Sequence, residues 1–468
     1  MSTDTTTIKG VWWKPEDPNK KLQGEILYGP MSGAEIDLFG LFYNPLDEAS
    51  IVQRFTLYGL TFKQTPITLF GCFAGSSSLH LGGGGASKIN SVSGIVGGHY
   101  ESLDKVYFKK VCANITGLRD WILTSGFEIK FAEKPGGFTL AYQVPNSISL
   151  GEFDSISIRI EFKSVMQPGV NHVQIEQDCI LVLEAKHMLP YANFAQYFNA
   201  FQRFLCLAIQ RPIYSTKIIG NIDQPKFIAN ETPVFEDYMM IRKATGVDDW
   251  EKEKLTPHDQ LFILSELKPS PELVFKQFME RQECLEAPMD LYFSTVYNQT
   301  HLPRVEFLTL AQSLEAYHRV AMPGVYMNEE SYRGGLHEKL SQVIATSPEL
   351  EADFRASLNK KLQYLNEFSL LKRLRDLARK HATILQPFLG KAEDFSQSVS
   401  DLRNKLTHPT KTSVGADKDY HRLLRLSEQM ALLLEVCFLN EIGFAEDQIK
   451  AIVSDRSKRA VRIDHGWI

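Results

Sequence analysis

The residues best suited to chemistry lie close together near the C-terminal end, where Arg403, Asn404 and His408 fall within one short stretch. Histidine suits proton transfer near neutral pH because its unperturbed pKa is about 6.5. Arginine stays protonated and can donate two parallel hydrogen bonds to phosphate oxygens. An asparagine one helical turn before the histidine could orient the imidazole or bind phosphate. Metal-free cleavage of RNA through its 2′-hydroxyl needs such groups: a base, an acid and a cation.

A single amphipathic helix is predicted to position these side chains. Its apolar residues recur at i, i+4, i+7 and i+11: Phe395, Val399, Leu402 and Leu406. At about 100° per residue, Asn404 and His408 fall on the face opposite this stripe, and Arg403 falls at its edge. Pro409 disfavours helical geometry at His408 and is expected to end the helix there.

The spacing of arginine and histidine is not specific by itself. It also occurs at Arg375 and His381, and at Arg459 and His465. The pair on the predicted helix differs from these by its adjacent asparagine, the proline that follows and its outward face. An ordinary exposed histidine remains the alternative to a catalytic one.

The first half of the sequence is predicted to be β-rich. Strands with a period of two, typical of half-buried positions, are predicted at Phe55–Phe62, Phe138–Val144 and Ser155–Phe162. Turn signals separate them, which favours an antiparallel sandwich-like domain or a barrel. One helix is predicted from Tyr191 to Leu207, where aromatic residues recur at helical spacing.

Beyond about residue 271 the pattern becomes helical and stays so. One predicted helix has its apolar face at Phe307, Leu310, Ala311, Leu314 and Tyr317. Another runs from about Tyr420, with Gly443 as its C-terminal cap. The predicted fold class is a multidomain α+β chain, with a β-rich domain at 1–240, a mixed connecting region at 241–300 and an all-helical domain at 301–468.

The amino-acid composition bears on three classes of function: nucleic-acid binding, metal or cofactor binding, and membrane association. The 468 residues are 23% charged with a formal net charge of −5, so RNA binding would have to come from a local patch. Residues 352–411 supply one, with twelve Lys/Arg against six Asp/Glu. The six cysteines are scattered without metal-site spacing, so we expect buried free thiols and neither metal nor cofactor. No signal peptide and no apolar run of about 18 residues is evident, so no membrane association and a cytoplasmic location are expected.

Two parts of the sequence resemble a known family. The string Leu402-Arg-Asn-Lys-Leu-Thr-His-Pro409 resembles the R-N-x-x-x-H motif of HEPN domains. The helices near Phe307–His318 and before Gly443 resemble the opening and closing helices of that bundle. The N-terminal segments Lys9–Pro15, Leu22–Tyr28 and Ile36–Gly40 resemble the N-terminal domain of ApeA-like bacterial anti-phage proteins, which pair it with a C-terminal HEPN domain.

The resemblance implies a metal-independent endoribonuclease with Arg403, Asn404 and His408 as active-site residues and His408 as the proton-transfer group. Two HEPN domains would form one composite site, so a homodimer or a higher oligomer is expected. The implied substrate is cellular RNA, with tRNA loops as one candidate, cut in abortive infection after an unknown phage-derived trigger.

Glu315 has two interpretations, an auxiliary acidic residue near the site or a surface pair with His318 or Arg319. The basic stretch 372–380 could grip phosphates, although a solvated face fits it better. The main alternative function is a non-catalytic HEPN protein that dimerises while its β domain binds a ligand or phage component. A metal-dependent hydrolase is a third hypothesis, disfavoured by the scattered metal-binding residue types.

Overall fold

The chain folds into a β-rich unit followed by a helical one, in a computed structural model that describes residues 6–30, 32–42, 53–80, 84–131, 137–229, 232–243, 255–298, 302–408 and 416–465. The compact units are Met1–Met279 and Glu280–Ile468. The predicted fold class is therefore confirmed. The stretch 241–300, predicted as a mixed connecting region, is divided between the two units.

The β-rich unit is built from antiparallel strands. Those within the described residues are β1 Thr6–Lys14, β2 Asp17–Gly29, β3 Gly33–Leu38, β4 Phe55–Thr61, β5 Pro66–His80, β6 Gly84–Ser91, β7 Ser93–Val96, β8 Tyr107–Ile115, β9 Phe127–Phe131, β10 Phe138–Tyr142, β11 Ile148–Phe153, β12 Ile156–Pro168, β13 Val173–Pro190, β14 Ser215–Ala229 and β15 Thr232–Arg242.

Thirteen of these strands form one sheet that partly closes on itself. The strand order is β11-β12-β13-β8-β14-β15-β7-β5-β4-β1-β2-β3-β6, and β6 also pairs with β5. Strands β4, β1, β2, β3 and β6 therefore close with β5 into a barrel, and the other strands extend from it. The first half of β5 pairs with β7 and its second half with β6, so β5 belongs to both parts. Of the two arrangements that the alternation favours, this closure selects the barrel.

The barrel interior is organised around the indole of Trp12, which is completely buried. Trp12 faces Gly59 across the β1–β4 pair, and a Cβ at Gly59 would lie 2.2 Å from the indole ring. The Trp12 Nε1–H donates to the carbonyl of Gly24 at 3.2 Å. Glycine on β4 therefore makes room for the largest side chain of the core.

The helices complete both units. Within the described residues they are α1 Leu118–Ile122, α2 Tyr191–Ile209, α3 Pro271–Arg281, α4 Glu286–Tyr297, α5 Pro303–Ala321, α6 Glu329–Ser331, α7 Glu338–Thr346, α8 Ala352–Leu362, α9 Leu370–Lys380, α10 Ala382–Leu389, α11 Ala392–Thr407, α12 Ala416–Glu441, α13 Glu446–Asp455 and α14 Lys458–His465, with a π-helical turn Tyr332–His337 before α7.

Helix α2 forms the core of the sheet extension and confirms the helix predicted from Tyr191. Its aromatic residues Phe194, Phe198, Phe201 and Phe204 are completely buried. The ring of Trp121 meets Phe204 edge to face at 5.9 Å, an arrangement that aromatic pairs prefer.

The helical unit buries the faces that the apolar spacing predicts. Helix α5 packs against α4, α9, α11 and α12, and its predicted apolar face lies inside. Helix α12 ends in the predicted glycine cap, with Gly443 at φ +92°. The N–H of Phe444 donates to the carbonyl of Leu439 at 3.1 Å, which satisfies the end of the helix in a Schellman arrangement.

One predicted strand lies in a different environment from the one expected. Strand β10 pairs only with β9, and its side chains are largely exposed, with Phe138 66% and Leu140 43% accessible. The expectation of a half-buried strand is therefore wrong here. Alternation at Phe138–Tyr142 correctly indicated extended backbone, but the described residues cover little of either face of this hairpin.

Two further expectations concern the chain as a whole. All six cysteines are free, and Cys72, Cys179, Cys206 and Cys437 are buried. Within the described ranges, no helix combines the length and the apolar character needed to cross a membrane.

A buried charge cluster joins α4, α12 and α14. Arg459 donates to Glu435 and to Glu428, each at 2.6 Å. The Tyr292 hydroxyl donates to the same Glu435 carboxylate at 2.7 Å, and Glu435 is completely buried. Because a buried carboxylate without its cation is costly, this arginine is needed for stability.

We expect Arg459→Met to lower the free energy of unfolding by about 3–5 kcal/mol, because it leaves the buried Glu435 charge uncompensated. The matched control is Arg462→Met, since Arg462 also pairs with Glu428 but is 44% exposed. That change should cost only about 0–1 kcal/mol. Urea denaturation followed by helical circular dichroism measures both, and equal losses would contradict the assignment.

Candidate functional site

Helix α11 carries the candidate site, and its apolar stripe fixes its orientation. Phe395, Val399 and Leu402 are buried, and Leu406 is half-buried. The helix packs against α9 and also against α5. Because these contacts occupy one side, the opposite side of α11 faces outward, as the helical wheel predicts.

The candidate residues lie where this helix ends. Thr407 is its last residue, and His408 follows with φ −129° and ψ 69°, outside helical geometry. The His408 N–H still donates to the carbonyl of Asn404 at 2.9 Å. The Thr407 hydroxyl donates to the carbonyl of Arg403 at 2.9 Å, which satisfies another terminal acceptor. Pro409, expected to end the helix, lies outside the described residues.

The three candidate residues lie within six positions at the end of α11, and a side-chain hydrogen bond joins two of them. Asn404 and His408 are exposed, while Arg403 is half-buried at the edge of the apolar stripe. The Arg403 guanidinium donates to the Asn404 Oδ1 at 3.3 Å. Since Oδ1 accepts from arginine, the amide N–H groups of Asn404 are the ones suited to an incoming phosphate oxygen. The group thus presents cationic and neutral donors beside an imidazole.

One residue of each competing pair, His381 and Arg459, is integrated into the fold instead. His381 is 6% exposed, and burial, aided by Lys380, lowers its pKa to about 4. Arg459 is held by the buried carboxylates of α12 described above. The side chain of His465 lies outside the described part of the chain. An imidazole kept neutral in the interior is poorly placed to exchange protons with a substrate.

Glu315, the candidate auxiliary residue, takes part in a surface pair. Its carboxylate accepts from Arg319 at 3.0 Å, one helical turn away. Arg319 also donates to Glu367 at 2.7 Å. This arrangement matches one of the two interpretations that the sequence leaves open. Helix α5 packs against α11, so Glu315 lies on a helix next to the one that carries the candidate site.

A buried arginine that the sequence does not reveal lies nearby. Arg373 on α9 is 1% exposed and donates to the Nδ1 of buried His318 at 3.0 Å. It also donates to the carbonyl of Phe368 at 3.0 Å and to that of Gly324 at 3.4 Å. The N–H of Phe368 donates to the Gly324 carbonyl at 2.8 Å. Arg373 therefore closes the base of the segment 324–368, which contains α6 to α8.

The basic helix α9 presents a largely solvated face, with Arg373 as the exception. Arg373 faces the interior and is neither on a solvated face nor available to phosphate. Lys372 donates to Asp376 at 3.0 Å, and Arg379 donates to Glu393. Two of the cations outside the core are thus paired with carboxylates of the same unit. The predicted phosphate grip receives no support from this geometry.

Metal-binding residue types are dispersed in the described ranges, where no group of three or more His, Cys, Asp or Glu side chains could hold a metal ion. The candidate site itself contains one imidazole, one amide and one guanidinium. Of these, only the imidazole is a common metal ligand. The donor set therefore favours contacts to anions.

The class of protein follows from these observations. A helical bundle that displays Arg-Asn-x-x-x-His at the exposed end of one helix, joined to a β-barrel unit, is a HEPN-type protein with an N-terminal β domain. Two family models match the chain, ApeA N-terminal domain 1 over residues 7–277 and Apea-like HEPN over residues 308–448. The chain belongs to the ApeA-like family of anti-phage HEPN proteins. No curated protein and no solved structure matches it.

Two buried histidines of this unit give it a pH-dependent stability. Burial, aided by the charge of Arg373, lowers the pKa of His318 to about 4, and His381 has a similarly low value. In the unfolded chain both return to about 6.5. Between these pH values the unfolded state binds protons that the folded state does not bind. The stabilisation is therefore complete above about pH 6.5 and is lost as the pH falls towards 4.

We expect the free energy of unfolding of His318→Gln/His381→Gln to fall less steeply than that of the wild type between pH 6.5 and pH 4. Carboxylate titration contributes to both proteins and cancels in the comparison. The single variant His318→Gln, which keeps the second buried imidazole, should give an intermediate slope. Urea denaturation at a series of pH values measures the free energy of unfolding of each protein. Parallel curves of this free energy against pH for all three proteins would overturn the assignment.

Proposed function

We propose that this protein is a metal-independent endoribonuclease whose cleavage site contains Arg403, Asn404 and His408. The observation that carries the proposal is the polar end of α11 in a bundle of the HEPN family, where Arg403 and Asn404 are in contact and His408 is exposed. The other candidate histidine with a described side chain, His381, is buried in the same unit. Exposure is what a group needs to reach a polymeric substrate.

The proposed reaction is a transesterification within the RNA. The 2′-oxygen loses its proton and attacks the adjacent phosphorus, while the bond from phosphorus to the 5′-oxygen breaks and that oxygen gains a proton. The products are a 2′,3′-cyclic phosphate and a 5′-hydroxyl end. Arg403 and the Asn404 amide stabilise the charge on the phosphate oxygens, and His408 transfers protons.

The proton balance of this reaction supports a site shared by two chains. The base must begin neutral and the acid must begin protonated, so one imidazole cannot serve both roles in the same step. A two-fold axis beside the exposed face of α11 would bring two copies of His408 to one phosphate. We therefore propose a homodimer, or a higher oligomer built from it, as the active assembly.

The biological role is proposed from the same family membership. The substrate would be cellular RNA, with unpaired tRNA loops as candidates because their sugars can adopt the in-line geometry. The β-barrel unit would respond to a phage-derived trigger, and the released nuclease would act in the cytoplasm and stop growth of the infected cell.

We expect His408→Ala to reduce RNA cleavage by about 10²–10⁴-fold, since it removes the proton-transfer group, while leaving the fold unchanged. The control is His187→Ala, which changes an exposed histidine of the β-rich unit. The measurement is sequencing of 5′-hydroxyl RNA ends after induction in bacteria, which also identifies the target. Cleavage by the purified protein should persist in EDTA. Full activity of His408→Ala would exclude His408 as the proton-transfer group, and absence of cleavage by the wild type would support the non-catalytic alternative. Loss of wild-type activity in EDTA would exclude the metal-free mechanism.

A mixed dimer tests the shared site. Wild-type and His408→Ala chains carrying different affinity tags are co-expressed, and dimers containing both are isolated in two purification steps. A composite site needs both histidines, so we expect the mixed dimer to be nearly as inactive as the pure variant. Activity near one half of the wild-type value would instead show that each chain holds a complete site.

A further inference from the structure

The outer face of the barrel carries an aromatic cluster that the proposed nuclease chemistry does not use. Trp13 and Tyr58 are register partners on β1 and β4, and they point away from the core that contains Trp12. The imidazole of His99 stacks on Tyr58 at 4.5 Å and 13°. Trp13 meets both rings edge on, at 6.5 Å from Tyr58 and 5.3 Å from His99.

The stack is held in place by the loop after β7. The hydroxyl of Thr68, which is completely buried, donates to the carbonyl of Gly98 at 2.9 Å and accepts from the N–H of Tyr100 at 3.1 Å. His99 lies between these two anchors, and its Nε2–H donates to the carbonyl of Gly59 at 2.9 Å. The imidazole is therefore fixed before any ligand arrives, which reduces the entropic cost of binding.

The cluster continues along the strand to an open end. Phe62 directly follows β4 and is 65% exposed, and its N–H donates to the carbonyl of Lys9 at 3.2 Å. The extended backbone from Tyr58 to Thr61 spans about 10 Å, and Phe62 begins the turn that follows. His99 and Phe62 thus offer two separated ring surfaces to solvent, with His99 also exposed.

Lysines border these rings, together with two carboxylates. The Lys21 ammonium lies 4.8 Å from the centroid of Trp13, and Lys63 follows Phe62. Lys9 is loosely paired with Glu25 at 3.7 Å, with its own side chain 66% exposed. Glu101 is an acidic group near Tyr58, whose pKa is raised by burial and by that carboxylate.

These features together fit one class of partner. Cross-strand aromatic pairs do stabilise sheets, but that role does not require a largely exposed phenylalanine bordered by lysines. Protein interfaces usually contain few lysines, because burying their charge is costly. Single-stranded nucleic acids instead offer flat bases that stack on aromatic rings and phosphates that attract lysine.

We propose that the aromatic platform, defined as Trp13, Tyr58, Phe62 and His99 with Lys9, Lys21 and Lys63, binds single-stranded nucleic acid. Bases stack on His99 and Phe62, and the phosphates between them face the lysines. This site lies in the β-rich unit and is separate from the cleavage residues, so it goes beyond the proposed nuclease function. RNA and DNA share the recognised groups, and the test distinguishes them.

The test measures binding of fluorescent twelve-nucleotide oligo(U) and oligo(dT) to the full-length chain by anisotropy. All variants are made in the His408→Ala background, so that oligo(U) is not cleaved during the measurement. Oligo(dT) cannot be cleaved by the proposed reaction because it lacks the 2′-hydroxyl. We expect His99→Ala and Phe62→Ala each to weaken binding about tenfold. The matched control is Phe131→Ala, which removes an 83% exposed phenylalanine from β9 in the same unit and should leave affinity unchanged.

Charge variants test the polar half of the proposal. Lys21→Gln should reduce the steepness of log affinity against log salt concentration by about one unit, which corresponds to the loss of one phosphate contact. Glu101→Gln should strengthen binding roughly two- to fivefold, because it removes a repulsive carboxylate. If the platform variants bind only oligo(U) more weakly, the ligand is RNA. If they bind oligo(U) and oligo(dT) more weakly to the same extent, the ligand is a single strand of either sugar. Equal affinities of the platform variants and Phe131→Ala, or equal affinity for a duplex of the same length, would overturn the proposal. Neither outcome depends on whether the chain cleaves RNA.

Discussion

The burial of one apolar stripe determines which side chains of α11 face solvent. Phe395, Val399 and Leu402 are covered by the neighbouring helices, so α11 has no rotational freedom about its axis. Rotating the helix to hide Asn404 and His408 would expose these residues, at about 1.5–3 kcal/mol for each large side chain. The direction of the polar group is therefore a consequence of core packing. Helix ends that leave polar groups open are common places for function because the core does not need them.

The helical unit contains many charged groups, and burial separates those with structural roles from those that face solvent. Arg373, His318, Arg459 and Glu435 lie in the interior, where each has a charged or hydrogen-bonding partner. Arg403, Asn404 and His408 have similar chemistry but lie on the surface. The same residue types thus either hold helices together or remain available to a ligand. In the β-rich unit, neighbouring tryptophans divide in the same way, since Trp12 fills the barrel and Trp13 lies outside it.

Local patterns predicted what depends on a single element, and failed where the outcome depends on distant partners. The burial of α2 and α5, the cap at Gly443 and the outward position of Asn404 on α11 all follow from spacing within one helix. Barrel closure through β5 does not, because alternation defines the two faces of a strand and not its neighbours. The burial of Arg373 could not be foreseen beside Lys372 and Arg375, since its acceptors come from α5 and from both ends of the segment 324–368. The exposure of β10 was missed for a similar reason, as no sequence signal shows whether another layer covers a hairpin.

The closed base of the segment 324–368 has a consequence for how this family can diversify. Gly324 and Phe368 are joined by a backbone hydrogen bond, and Arg373 binds both carbonyls from below. The chain between Gly324 and Phe368 therefore leaves the helical bundle and returns to it at the same place. Lengthening a loop whose ends already meet adds little closure entropy, on the order of 0.6 kcal/mol per doubling. Natural variation could therefore shorten, extend or replace this segment while α5 and α9 stay in register, which makes it a natural grafting position for new specificities.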